Sequence, residues 1–103
     1  MPAATPRRSR RTAETPPSSL TIRNVVVAGH RTSVRLEAVM WEALLDIARQ
    51  TELTVHDLVT RIDRDRSSSL SLTAAIRVHI VNYYRKAALE AAAAIKSNTN
   101  FRL

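Results

Sequence analysis

The spacing of apolar residues changes character several times along the chain. From Leu20 to Ala28, "LTIRNVVVA" is dense in β-branched residues, which favour extended backbone, so a lead-in strand is predicted there. Gly29 then supplies the backbone freedom of a turn or bulge. In "HRTSVRLE" the period is two: Thr32, Val34 and Leu36 point one way, Arg31, Ser33 and Arg35 the other. One face suits a core and the other is cationic.

After Leu36 the period becomes helical. Met40, Ala43, Leu44, Ile47 and Ala48 recur at i, i+3, i+4, i+7 and i+8, with Trp41 and Leu45 widening the stripe, which predicts a helix of about three to four turns. Glu37 near its start suits the positive end of the helix dipole. The turn "RQTELT" holds no glycine, so a helix must end there on a less permissive residue. Thr54 with Asp57 three residues on resembles a capping box, and Val55, Leu58, Val59 and Ile62 follow at helical spacing. This second helix should end in "DRDRSSSLS", where Ser71 can cap a third.

The third helix should run from about Leu72 into "ALEAAAAIK". Leu72, Ile76, Ile80 and Tyr83 form one stripe, and Ala74, Val78, Val81 and Ala88 a second, so its first half should be enclosed by the core or by another subunit. Residues 97–103 read as a frayed tail and residues 20–96 as the folded domain. All four prolines lie in residues 1–19, which have almost nothing to bury and read as a disordered basic arm.

Composition narrows the possibilities. Of 103 residues none is cysteine, which excludes disulfides, thiolate metal sites and a thiol nucleophile. A marginal core with few aromatic side chains makes dimerisation a live expectation. The N-terminal arginines are followed by no apolar stretch, so they do not read as a secretory signal, and no run approaches membrane-spanning length. The cytosol, in association with the nucleoid, is the expected compartment.

The net charge of +7 asks for an anionic partner, and its excess lies in residues 1–19 and 67–103. Residues 20–66 carry seven basic and seven acidic groups and are neutral. Arg7, Arg8, Arg10 and Arg11 could close on phosphates or simply solubilise the arm. Catalysis has little support. His30, His56 and His79 fall in three different elements without metal-ligand spacing, and His79 reads as a packing residue. A single glycine cannot build a phosphate loop. Glu42 and Asp46 share a helix face beside Arg49 and read as solvated charges. Neither a catalytic residue, a metal nor a cofactor is expected.

The alternating strand is the better candidate. A lone strand leading straight into a helix cannot satisfy its backbone edge, which invites pairing with its twin across a two-fold axis. Such a ribbon fits the major groove, where paired Arg31, Ser33 and Arg35 could meet base edges. An ordinary half-exposed strand with solvated arginines is the plainer reading.

The order strand, helix, turn, helix in "HRTSVRLEAVMWEALLDIARQTELTVHDLVTRI" resembles the ribbon-helix-helix family of bacterial DNA-binding dimers, related in architecture to the Arc and MetJ repressors. More narrowly, "GHRTSVRLE", Trp41, "DIA" and "LTAAIRVHIVNYYR" resemble ribbon-helix-helix domain proteins found largely in alphaproteobacteria. The resemblance spans roughly Val25 to Arg85. It implies a mainly α fold with a short β-ribbon, a homodimer with an additional C-terminal helix, and double-stranded DNA as partner. By the same resemblance Arg31, Ser33 and Arg35 would contact bases. Thr54 with the amides of Val55 and His56 would clamp a phosphate, which is chemistry a helix N-terminus can perform. The implied role is a sequence-specific transcriptional regulator. The alternative is an antitoxin-like or adaptor dimer whose C-terminal helix grips a protein partner.

Overall fold

The structure is a computed structural model; it describes residues 19–101, with side chains to residue 96. Two strands, β1 (Thr21–Val27) and β2 (His30–Leu36), precede three helices, α1 (Ala38–Gln50), α2 (Val55–Asp65) and α3 (Leu72–Phe101). The strands pair antiparallel in register Thr21↔Leu36 to Val27↔His30. Only Ala28 and Gly29 connect them, with φ of 50° and 83°. A two-residue loop with both φ positive has the sense of a type I′ turn, whose twist matches that of the strands. The antiparallel ribbon expected from the sequence is therefore present, but both of its strands come from one chain. A twin strand could pair at the outer edge of β2.

The inner face of the hairpin supplies Val25, Val27, Val34 and Leu36 to the core. Against them pack Trp41, Leu44, Ile47 and Ala48 of α1, Leu58, Val59 and Ile62 of α2, and Ala75, Ile76 and Ile80 of α3. The alternation in β2 thus divides as its period requires. Leu45 departs from the expected stripe and stays exposed. Trp41 is buried, donates its indole N–H to the Thr21 carbonyl at 2.9 Å, and lies under the Arg23 guanidinium at 5.7 Å. It pins β1 to α1, and truncating a buried indole of this kind costs about 3–5 kcal/mol.

Helix ends follow the side chains available. α1 closes with Leu53 N–H donating to Ala48 O at 2.8 Å and Glu52 N–H to Arg49 O at 3.2 Å, the two bonds of a Schellman motif. Its left-handed position is taken by Glu52, at φ 59°, where glycine is usual. Thr54 caps α2 by accepting from Asp57 N–H at 3.0 Å, one half of the expected capping box. Ser71 caps α3 by accepting from Ala74 N–H at 3.1 Å.

α3 continues beyond Lys96 to Phe101. Its second stripe is not enclosed by the described residues: Val78 and Val81 are about half exposed, and from Tyr84 to Lys96 every residue is exposed. Among the described residues no helix is long and apolar enough to cross a membrane.

Candidate nucleic-acid interface

The outer face of the hairpin is formed by three opposed pairs: Ile22 with Arg35, Asn24 with Ser33, and Val26 with Arg31. All six side chains are exposed. Arg31 and Arg35 have no ion-pair partner among the described residues. Ser33 Oγ donates to Asn24 Oδ1 at 2.9 Å, which leaves the Asn24 amide group as an outward donor. The three residues expected to face outward are therefore on one surface, together with Asn24. Sequence periodicity missed Asn24 because its strand partner was unassigned, although the "IRN" of the lead-in strand offered the position.

The two edges of the hairpin differ. Val26 N–H donates to His56 Nδ1 at 2.9 Å, and Ala28 N–H to Thr60 Oγ1 at 3.1 Å. The Thr60 hydroxyl also reaches the Val26 carbonyl at 3.5 Å. These amides face α2, so Val26↔Arg31 is a non-hydrogen-bonded pair of the ladder. By the same alternation the backbone N–H and C=O groups of Arg31, Ser33 and Arg35 point away from β1. No partner among the described residues meets them. α2 closes the β1 edge at Val26 and Ala28, and the β2 edge is open.

The His56 bond also sets α2 beside β1 with its N-terminus next to Val26. Thr54 Oγ1 is occupied by Asp57 N–H, while the amides of Val55 and His56 have no acceptor among the described residues. Of the three residues expected at a phosphate clamp, Thr54 builds the cap and Val55 and His56 present free N–H groups. The Asp57 carboxylate in the same turn opposes an anion, so the backbone must supply the attraction. The imidazole of His56 has a further task, as acceptor for β1, that spacing did not reveal. Arg7, Arg8, Arg10 and Arg11 lie outside the described residues.

An ion pair ties α3 to this platform. Glu37, between β2 and α1, accepts from Arg77 Nε and Nη2 at 3.1–3.3 Å. A hydrogen bond from its own backbone amide and the Arg77 guanidinium hold the Glu37 carboxyl below its ordinary value of 4.5. His79 is half-buried between α2 and α3, and burial pushes it below the ordinary 6.5 against a smaller upward pull from Asp65. No group of three potential metal ligands occurs among the described residues.

Residues 20–84 match the family model of the ribbon-helix-helix domain. Among solved structures, an uncharacterized protein from Bordetella pertussis Tohama I is similar with a TM-score of 0.60 and 25% identity, over 78% of this chain and 69% of that one. No curated protein matches. A hairpin leading into three helices, with the match running from Leu20 to Tyr84, makes the chain a member of the ribbon-helix-helix domain family, whose domains generally bind DNA as dimers.

Proposed function

We propose that this protein is a sequence-specific DNA-binding regulator acting in the cytoplasm as a homodimer. The observation that carries this reading is the exposed outer face of the hairpin. Two guanidiniums without ion-pair partners among the described residues flank the Asn24–Ser33 pair, and the inner face is fixed to a core. Arginine can fork onto guanine, asparagine can pair with adenine and serine can meet several base edges.

The open edge of β2 supports dimerisation by strand pairing. A two-fold axis near Ser33 would join β2 to its twin and set Arg31 opposite the twin's Arg35. The major groove is about 12 Å wide and strands lie about 4.8 Å apart, so the groove takes the central two strands and leaves each β1 toward its walls. Arg31, Ser33 and Arg35 then act as base readers. The free amides of Val55 and His56 hold a phosphate, and the arginines of the N-terminal arm add further phosphate contacts.

The test is a gel-shift series on a site selected by the wild-type protein from random duplexes. Arg35→Ala should weaken binding to that site by about 1–3 kcal/mol while changing affinity for unrelated DNA much less. Affinity of the wild type should fall steeply with salt as phosphates are neutralised. An Arg35→Ala protein with undiminished preference would remove the ribbon as reader.

A second reading, an antitoxin-like or adaptor dimer, is favoured by one observation. α3 exposes Val78, Val81, Leu89 and Ile95 along a helix that carries Arg77, Arg85, Lys86 and Lys96. Stoichiometric co-purification of a second protein, lost on truncation after Tyr84, would support it. The two readings can coexist in one chain.

A further inference from the structure

We infer that His56 is a positioning residue that fixes the phosphate-holding end of α2 relative to the base-reading face of the hairpin. The inference rests on the DNA-reading function proposed above. Its basis is the closed edge of β1. There a helix, rather than a strand, satisfies two successive outward amides: Val26 through His56 Nδ1 at 2.9 Å and Ala28 through Thr60 Oγ1 at 3.1 Å.

The donors and acceptors are spaced to match. Two residues along a strand advance about 6.6 Å, and four along a helix about 6 Å, so residues i and i+4 of α2 meet residues j and j+2 of β1 when both run in the same direction. Helix and strand are thereby locked in translation as well as distance. A slip of α2 by one residue would break both bonds and leave two hairpin amides, of Val26 in β1 and Ala28 in the turn, unpaired.

The same residue stands at both ends of the geometry. The backbone N–H of His56 is one of the free amides at the helix start, and its ring holds Val26, whose side chain lies on the outer face opposite Arg31. Of the two side chains that bond α2 to the hairpin, this imidazole is the one nearer the phosphate contact. Register on DNA is set by backbone contacts while sequence is read at base edges, so loosening this link should cost discrimination before it costs affinity.

The test compares the wild type, His56→Ala and His56→Asn, whose carboxamide oxygen can take the place of Nδ1 as acceptor. Each is titrated with the selected site and with an unrelated duplex. His56→Ala should lower the ratio of specific to non-specific affinity by about three- to tenfold, the range one lost hydrogen bond can supply, with an unchanged salt slope. His56→Asn should restore most of it. Amide exchange at Val26, measured in the same proteins, should quicken in the alanine variant and slow again in the asparagine variant. This second readout stands even if the alanine protein proves too unstable to titrate. An unchanged ratio in His56→Ala, no rescue by His56→Asn, or a Val26 amide unprotected in the wild type would each overturn this inference alone. Failure of the wild type to select any sequence would overturn the DNA-reading proposal and this one with it.

Discussion

Two residues hold backbone conformations that their side chains disfavour, and they sit at the two joints that shape the domain. Ala28, at φ 50°, turns the hairpin, and Glu52, at φ 59°, ends α1. A left-handed conformation costs a residue with a Cβ about 1–2 kcal/mol. Replacing Glu52 with glycine relieves that cost but enlarges the freedom of the unfolded chain by roughly 0.5–1 kcal/mol. Glu52→Gly is accordingly expected to raise stability by about 0.5–1 kcal/mol, seen as a higher urea midpoint at constant slope. The need for a permissive residue after α1 was legible, because the turn "RQTELT" offers no glycine. Ala28 was not: alanine carries no local signal for a positive φ, and only the pairing of β1 with β2 demands it. His56 escaped sequence reading for a related reason, since the strand amide it accepts from lies thirty positions away.

At the level of elements, charge and burial set how α3 is held. Glu37 has its carboxyl lowered below 4.5 in the folded state, so the unfolded chain takes up that proton first on acidification. The stability it contributes is complete above 4.5 and is lost as pH falls through the folded value. His79 is also lowered, from 6.5, by desolvation, so here too the unfolded chain protonates first, and stability declines as pH drops below 6.5. The two losses begin at different pH. In urea unfolding at a series of pH values, His79→Gln should flatten the loss that begins below 6.5, and Glu37→Gln the further loss below 4.5. If both variants keep the wild-type profile, neither group contributes to the pH dependence of stability. The sequence announced α3 and its inner stripe through Leu72, Ile76 and Ile80. It left two homes open for the second stripe, and among the described residues the core leaves Val78 and Val81 about half exposed. Helical period identifies a face without identifying what covers it. The ribbon poses the same problem: a period of two fixes which side chains face outward but is silent on whether the neighbouring strand belongs to the same chain.

For the whole molecule, the unequal edges of the hairpin decide how two copies can meet. α2 occupies the turn-proximal half of the β1 edge through His56 and Thr60, so among the described elements β2 offers the longer uncovered edge for strand addition. Pairing there about Ser33 would bring four guanidiniums near one axis, an arrangement that like-charge repulsion weakens and a phosphate-lined groove relieves. Dimerisation and DNA binding should then reinforce each other, with the dimer tightening as salt screens the arginines and the complex loosening under the same change. The backbone alternation offers a way to separate hairpin from dimer. The N–H of Ser33 faces away from β1, so proline at this position removes no backbone hydrogen bond from the hairpin, only the side-chain bond to Asn24, but takes a donor from the open edge and crowds it. The N–H of Thr32 faces β1, so proline there breaks the hairpin itself. Ser33→Pro is expected to sediment as a monomer at concentrations where the wild type is a dimer, with the fluorescence of the buried Trp41 unchanged; Thr32→Pro should disturb both. A Ser33→Pro protein that still sediments as a dimer would place the interface elsewhere, and the exposed stripe of α3 would be the surface to examine next.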